Sequence, residues 1–193
     1  MTSVDLTLPF LEQRTYLHGT TLFDELRQHA APGASLSFRI SRRIESNRVR
    51  LVDAAHSRKQ LDPAATLDWR NLETSASIGV IQLPPLPPIE RKPYDESLVT
   101  RSLTAGAEEV TLIGASPFTL VATLVPMFKV LLKDIHRSGD RGQWMFTRLD
   151  LDALPSSYAG LGLRLERVLG GTLAKAHVIV GGEACGAIFY SWV

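Results

Sequence analysis

The stretch TYLHGTTLFDEL, Thr15 to Leu26, gathers His18, Thr20, Thr21, Asp24 and Glu25 within twelve residues. A histidine followed by carboxylates supports proton transfer, with His18 as base and Asp24 or Glu25 as acid or water-positioning group. A helix starting near Thr20 and Thr21 would turn N–H groups toward an oxygen that gains charge in a reaction. The same residues also suit the start of a helix. Threonine is a good N-cap, and carboxylates in a first turn are favoured by the helix dipole.

Elsewhere the chemistry is sparse. His29 and His136 fall at helix ends, His56 lies in a polar loop, and His177 alternates with Lys175 on a face that should meet solvent. No pair of histidines has metal-ligand spacing, so no metal site is expected. The phosphate-binding GxxxxGK[ST], the dinucleotide GxGxxG and the hydrolase elbow GxSxG are all missing. In RLDLDALP, Asp150 and Asp152 share one side of a strand with Arg148, which should balance them. Cys185 is the single cysteine. That excludes an internal disulfide, and the absence of an electropositive setting predicts a buried, inert thiol.

The chain of 193 residues is 45% apolar and 21% charged, with net charge +1. So neutral a surface has no bulk attraction for nucleic acid or anionic lipid. The N-terminus lacks a basic region followed by an apolar run, and with the single cysteine this suggests a reducing cytoplasm. Val110 to Phe128 holds 19 residues without a charge. Gly114, Ser116 and Pro117 break that run, so it predicts a buried strand, a turn and a buried helix; a membrane anchor is the less favoured alternative.

Two blocks flank a proline-rich stretch. Residues 1–83 form the first, residues 84–93 a semi-rigid connector (an SH3-type ligand is the alternative), and residues 94–193 the second. In the first block the spacing predicts a helix over Thr20 to Ala30 and a hairpin over SFRISRRIESNRVR, Ser37 to Arg50, whose arginines face solvent. HSRKQLDPAATLDWRNLE reads as loop, and SIGVIQL as a third strand. In the second block EEVTLIG is a strand. A buried helix follows over SPFTLVATLVPMFKVLLKDI, with Ser116 as N-cap, Pro117 at the first helical position and a kink at Pro126. QWMFTRLDL, LGLRLERVL, LAKAHVIV and ACGAIFYSWV then alternate as antiparallel strands, the last two joined at Gly181-Gly182. Setting TYLHGTTLFDEL against VTLIGASPFTLV matches Leu17 with Leu112, Gly19 with Gly114 and Phe23 with Phe118 at an offset of 95, a weak internal repeat.

A buried helix followed by long antiparallel strands, ending in LRLERVLGGTLAKAHVIVGGEACGAIFYSW, resembles the hot-dog superfamily of acyl-thioester dehydratases, hydratases and thioesterases. The resemblance covers residues 109–193 best. It implies an α+β fold in which a curved antiparallel sheet wraps one long helix, and the internal repeat would make the chain a compact double hot dog. Hydratase-type members carry a histidine in a loop before the helix and a carboxylate on it. Here the second block has Ile113, Gly114 and Ala115 in that loop and no acid on its helix until Asp134. The resemblance therefore assigns chemistry to the first block: His18, Asp24 and Glu25 as catalytic residues, and Thr20 and Thr21 as the thioester-binding helix start. It implies an acyl group carried by coenzyme A or acyl carrier protein, no permanent cofactor, and a homodimer unless the two halves already complete that pairing within one chain. The alternative is a non-catalytic module of the same architecture that binds a small apolar ligand or a protein partner.

Overall fold

The computed structural model describes residues 3–57, 62–135, 142–155 and 157–193. The chain divides into two compact units, Met1–Tyr94 and Asp95–Val193.

In the first unit β1 (Val4–Thr7) and β2 (Phe10–Leu11) precede α1 (Gly19–Leu26), which ends in a 3-10 turn, Arg27–His29. Then come β3 (Ser35–Ile40), β4 (Arg48–Asp53), a short α2 (Ala54–Ser57), β5 (Ala65–Arg70), β6 (Ser75–Gln82) and β7 (Arg91–Lys92). The main sheet runs β1-β4-β6-β5-β3, antiparallel throughout. Alternation along each strand sends one set of side chains inward. Cross-strand rows such as Phe38–Leu67–Ile78 and Ala65–Val80–Leu51 thus build the core. Leu22, Phe23 and Leu26 of α1 are buried, and the Phe23 ring meets Phe38 edge-on at 5.6 Å. β2 pairs with β7 in parallel, and buried Asn47 exchanges side-chain hydrogen bonds with the Leu86 backbone (2.8 and 2.9 Å). The proline-rich stretch is thereby tied to the first unit.

Several local expectations change here. The stretch from Ser37 to Arg50 is no hairpin, because β5 and β6 lie between β3 and β4. β5 occupies a segment expected to be loop: Ala65, Leu67 and Trp69 share one phase, but an alternation of three apolar residues is short. α1 begins one residue earlier than Thr20 and has His18 as its N-cap. Asp24 and Glu25 are its sixth and seventh residues, beyond the first turn where the dipole would favour them.

The second unit contains α3 (Ser97–Thr100), β8 (Leu103–Ala105), β9 (Glu109–Leu112), α4 (Leu120–Leu132), β10 (Trp144–Leu151), β11 (Gly162–Leu169), β12 (Leu173–Val180) and β13 (Glu183–Trp192). Its strands are ordered β10-β13-β12-β11-β9-β8, all antiparallel. Eleven of the 13 residues of α4 are buried, as its nearly continuous apolar sequence requires. α4 touches both β10 and β8, the two ends of that order, so the sheet curls around the helix. The Tyr190 hydroxyl on β13 donates to the Val125 carbonyl (3.1 Å), and its ring meets Phe128 at 4.6 Å. The helix starts later than Ser116: Thr119 is the N-cap, and Ser116 Oγ instead accepts the Phe118 N–H (3.1 Å) in a turn before it. This also breaks the proposed repeat at the junction. The two helices start at Gly19 and Leu120, so the offset of 95 that aligns the glycines does not align the helix starts. His136 lies outside the described residues.

Both units set a helix before four strands on an antiparallel sheet, an α+β arrangement. No helix among the described residues is long and apolar enough to cross a membrane.

Candidate functional site

His18 sits where the chain turns into α1. Its backbone is extended (φ −76°, ψ 143°), and its carbonyl accepts the Leu22 N–H (3.2 Å), the first bond of the helix. The N–H groups of Gly19, Thr20 and Thr21 consequently have no acceptor within the helix. The imidazole is only 8% exposed. Its Nδ1 lies 2.9 Å from Thr20 Oγ1, a hydrogen bond between two buried side chains.

Aromatic and cationic groups surround the ring. Tyr16 and Tyr94 lie 6.4 and 5.8 Å from it, centroid to centroid. Each tyrosine carries an arginine: Arg43 stands 4.0 Å over Tyr16 and Arg14 stands 5.5 Å over Tyr94. The loop before His18 is pinned by Arg91, whose Nη1 donates to the carbonyls of Glu12 (2.5 Å) and Arg14 (2.9 Å), and by the Leu17 N–H on the Ile44 carbonyl (2.8 Å). The chemistry-bearing group is thus fixed by backbone bonds rather than left on a loose loop.

Of the residues anticipated from sequence, His18 and Thr20 are together, and Thr21 follows in the same turn, half-buried. Asp24 accepts a hydrogen bond from Arg27 Nε (3.2 Å) on the helix side away from Leu22 and Leu26. Glu25 is half-buried. Tyr16, Tyr94, Arg14 and Arg43 were not anticipated. Tyr16 is visible in the motif itself, but Tyr94 is 76 residues from His18 in sequence and only folding brings it near.

Among the described residues no three His, Cys, Asp or Glu side chains gather as a metal-ligand set. Arg148 pairs with Asp150 (Nη2–Oδ2 2.7 Å), as their shared phase suggested, while Asp152 lies just past the end of β10. His177 is about two-fifths exposed and lies 3.2 Å from Glu166.

No protein-family model matches the chain, and no curated protein matches it. Solved structures do. The chain is similar to the bifunctional dehydratase–cyclase domain of ambruticin biosynthesis, at 15% identity and TM-score 0.50, over 92% of this chain and 82% of that one. A TesB protein of Mycobacterium avium subsp. paratuberculosis aligns at 14% identity and TM-score 0.48, covering 99% and 93% of the two chains. The dehydratase domain from the CurK module of curacin polyketide synthase aligns at 10% identity and TM-score 0.46, covering 90% and 79%. The chain has the hot-dog fold.

Proposed function

We propose that this protein binds and processes an acyl thioester, carried by coenzyme A or by the phosphopantetheine of an acyl carrier protein, at the start of α1. The observation that carries this reading is a buried histidine at a helix N-terminus, flanked by two arginine–tyrosine stacks. The thioester oxygen would face the N–H groups of Gly19, Thr20 and Thr21, where the helix dipole favours developing negative charge. Arg14 and Arg43 would draw in an anionic carrier.

His18 moves the proton. Its bond to Thr20 sets the tautomer: if the threonine hydroxyl donates to Nδ1, Nε2 carries the proton and acts as an acid. If Nδ1–H donates to Thr20 instead, Nε2 is a base. Glu25 is the carboxylate assigned to work with it, because Asp24 serves the ion pair with Arg27. Either a hydration–dehydration or a thioester hydrolysis is compatible with that pair.

The second reading is a non-catalytic module on the same fold. It is favoured by the engagement of Nδ1 with Thr20 and of Asp24 with Arg27, which uses the histidine at the start of α1 and the carboxylate at its end. An acyl-CoA panel separates the two. Turnover by the native chain that falls at least about 100-fold in His18→Ala, with acyl-CoA binding retained, supports catalysis. Binding without turnover in the native chain establishes the module, and turnover unchanged in His18→Ala removes the role given to that residue.

A further inference from the structure

On the second unit's sheet, the face turned away from α4 carries a row of cations beside exposed leucines. Tyr190 and Ile188 point to the helix side, so Phe189 between them points to the other. The register places Phe189 directly opposite Arg148 on β10 and Lys175 on β12, and Lys175 directly opposite Arg167 on β11. One row across four strands therefore reads Arg148–Phe189–Lys175–Arg167. Lys175 faces Arg167 across that strand pair, and Glu166 is ion-paired to both.

Two β-bulges produce this row. The register breaks between Phe146 and Arg148 and between Leu165 and Arg167, inserting Thr147 and Glu166. Each insertion reverses the phase of its strand, which turns Arg148 and Arg167 outward; bulges often re-aim side chains in this way beside sites. The adjacent row on the same face holds Leu173 and Leu169, which pair with each other and are 51% and 50% exposed. The Arg148 guanidinium lies 4.9 Å over the Phe189 ring and Lys175 Nζ lies 5.8 Å from its centroid. These side chains, with Thr147, Ala174 and Tyr190, line a depression of about 280 Å³. The carboxylates within the cluster are Asp150, paired with Arg148, and Glu166, shared by Lys175, Arg167 and His177. Three permanent cations thus face two carboxylates.

We infer that this depression binds a small amphipathic anion, its carboxylate, sulfonate or phosphate group on the Arg148–Lys175–Arg167 row and its apolar body over Leu169 and Leu173. The three cations of the row outnumber the two carboxylates, so an anion meets a net positive charge there, and a flat or aliphatic body covers the exposed leucines. The site is separate from His18 and stands whether or not the function proposed above holds.

Naphthalene-1-sulfonate is a suitable probe, with 1-naphthalenemethanol as its uncharged counterpart. Titration followed by amide NMR should show saturable one-to-one binding, with shifts centred on Leu173 to Lys175 and Phe189. Arg167→Glu and Leu173→Ser, both at exposed positions, should each weaken binding about tenfold or more. His18→Ala should leave it unchanged. Equal affinity for the alcohol, shifts centred on α1, or full binding by Arg167→Glu would each overturn the assignment. So would adsorption to phosphatidylglycerol vesicles without saturable binding of the sulfonate.

Discussion

At Cys185 burial and then the charge of Asp152 hold the thiol above its ordinary range, so little thiolate exists at neutral pH. Alkylation by iodoacetamide should therefore be slower in the native chain than in the urea-unfolded chain, with a native rate that keeps climbing into more alkaline solution. Equal rates at neutral pH would contradict this. Cys185 is half-buried rather than buried as expected, and the part legible in sequence is that no cation stands near it. The candidate site was legible only in part. His18 and Thr20 are neighbours in the chain, and a two-residue separation survives most local conformations. The misplacement of Asp24 and Glu25 relative to the first turn follows from a small error in the helix start, because each residue of offset rotates a side chain by 100°. Tyr94 and Arg43 had no such signal. Their approach to the ring of His18 and to Tyr16 depends on where the returning chain packs.

Among the elements, β1 is the clearest case of a strand held by side chains as well as backbone. It lies at the end of the first unit's sheet order and pairs with β4 alone. Asp5, opposite Arg50, accepts hydrogen bonds from Arg50 Nε (2.6 Å) and from Arg48 Nη2 (3.0 Å). The Arg50 hydrogen bond is the main cause holding the Asp5 carboxyl below its usual range. A carboxyl lowered on folding contributes stability above its unfolded value of about 3.9 and loses it as pH falls through the lower folded value. Amide exchange over Val4–Thr7 should accelerate in Asp5→Asn at neutral pH, and in the native chain only below about pH 4. Unchanged protection in the variant would show that backbone pairing alone retains the strand. β1 was missed in sequence because four residues with two apolar side chains give too short an alternation. The turns at Gly170-Gly171 and Gly181-Gly182 were legible because β11–β12 and β12–β13 are local hairpins, while β10, whose partner β13 is distant in sequence, was legible from its own alternation. The order β1-β4-β6-β5-β3 was not, since apart from the β5–β6 hairpin its pairings join segments distant in sequence.

For the molecule as a whole, the 19 uncharged residues from Val110 to Phe128 decide between burial in protein and burial in lipid. They divide into β9, a turn and the first part of α4, whose 13 residues extend about 20 Å against a hydrocarbon core of about 30 Å. The apolar surface of α4 is spent on β8 to β11 and β13 of its own unit. Stability should therefore concentrate there and not in the equally apolar but half-exposed leucines of the outer sheet face. Leu124 is 0% exposed, and Leu124→Ala should cost about 2–5 kcal/mol through lost burial and the cavity left behind. Leu173 is 51% exposed, and Leu173→Ala should stay within about 0.5 kcal/mol. At about 2–4 °C per kcal/mol for a chain of this size, calorimetry should separate the two variants by at least several degrees. Similar melting temperatures for both would mean that α4 is not the centre of the second unit's core, and would also remove the argument that Leu169 and Leu173 are left exposed for something other than folding.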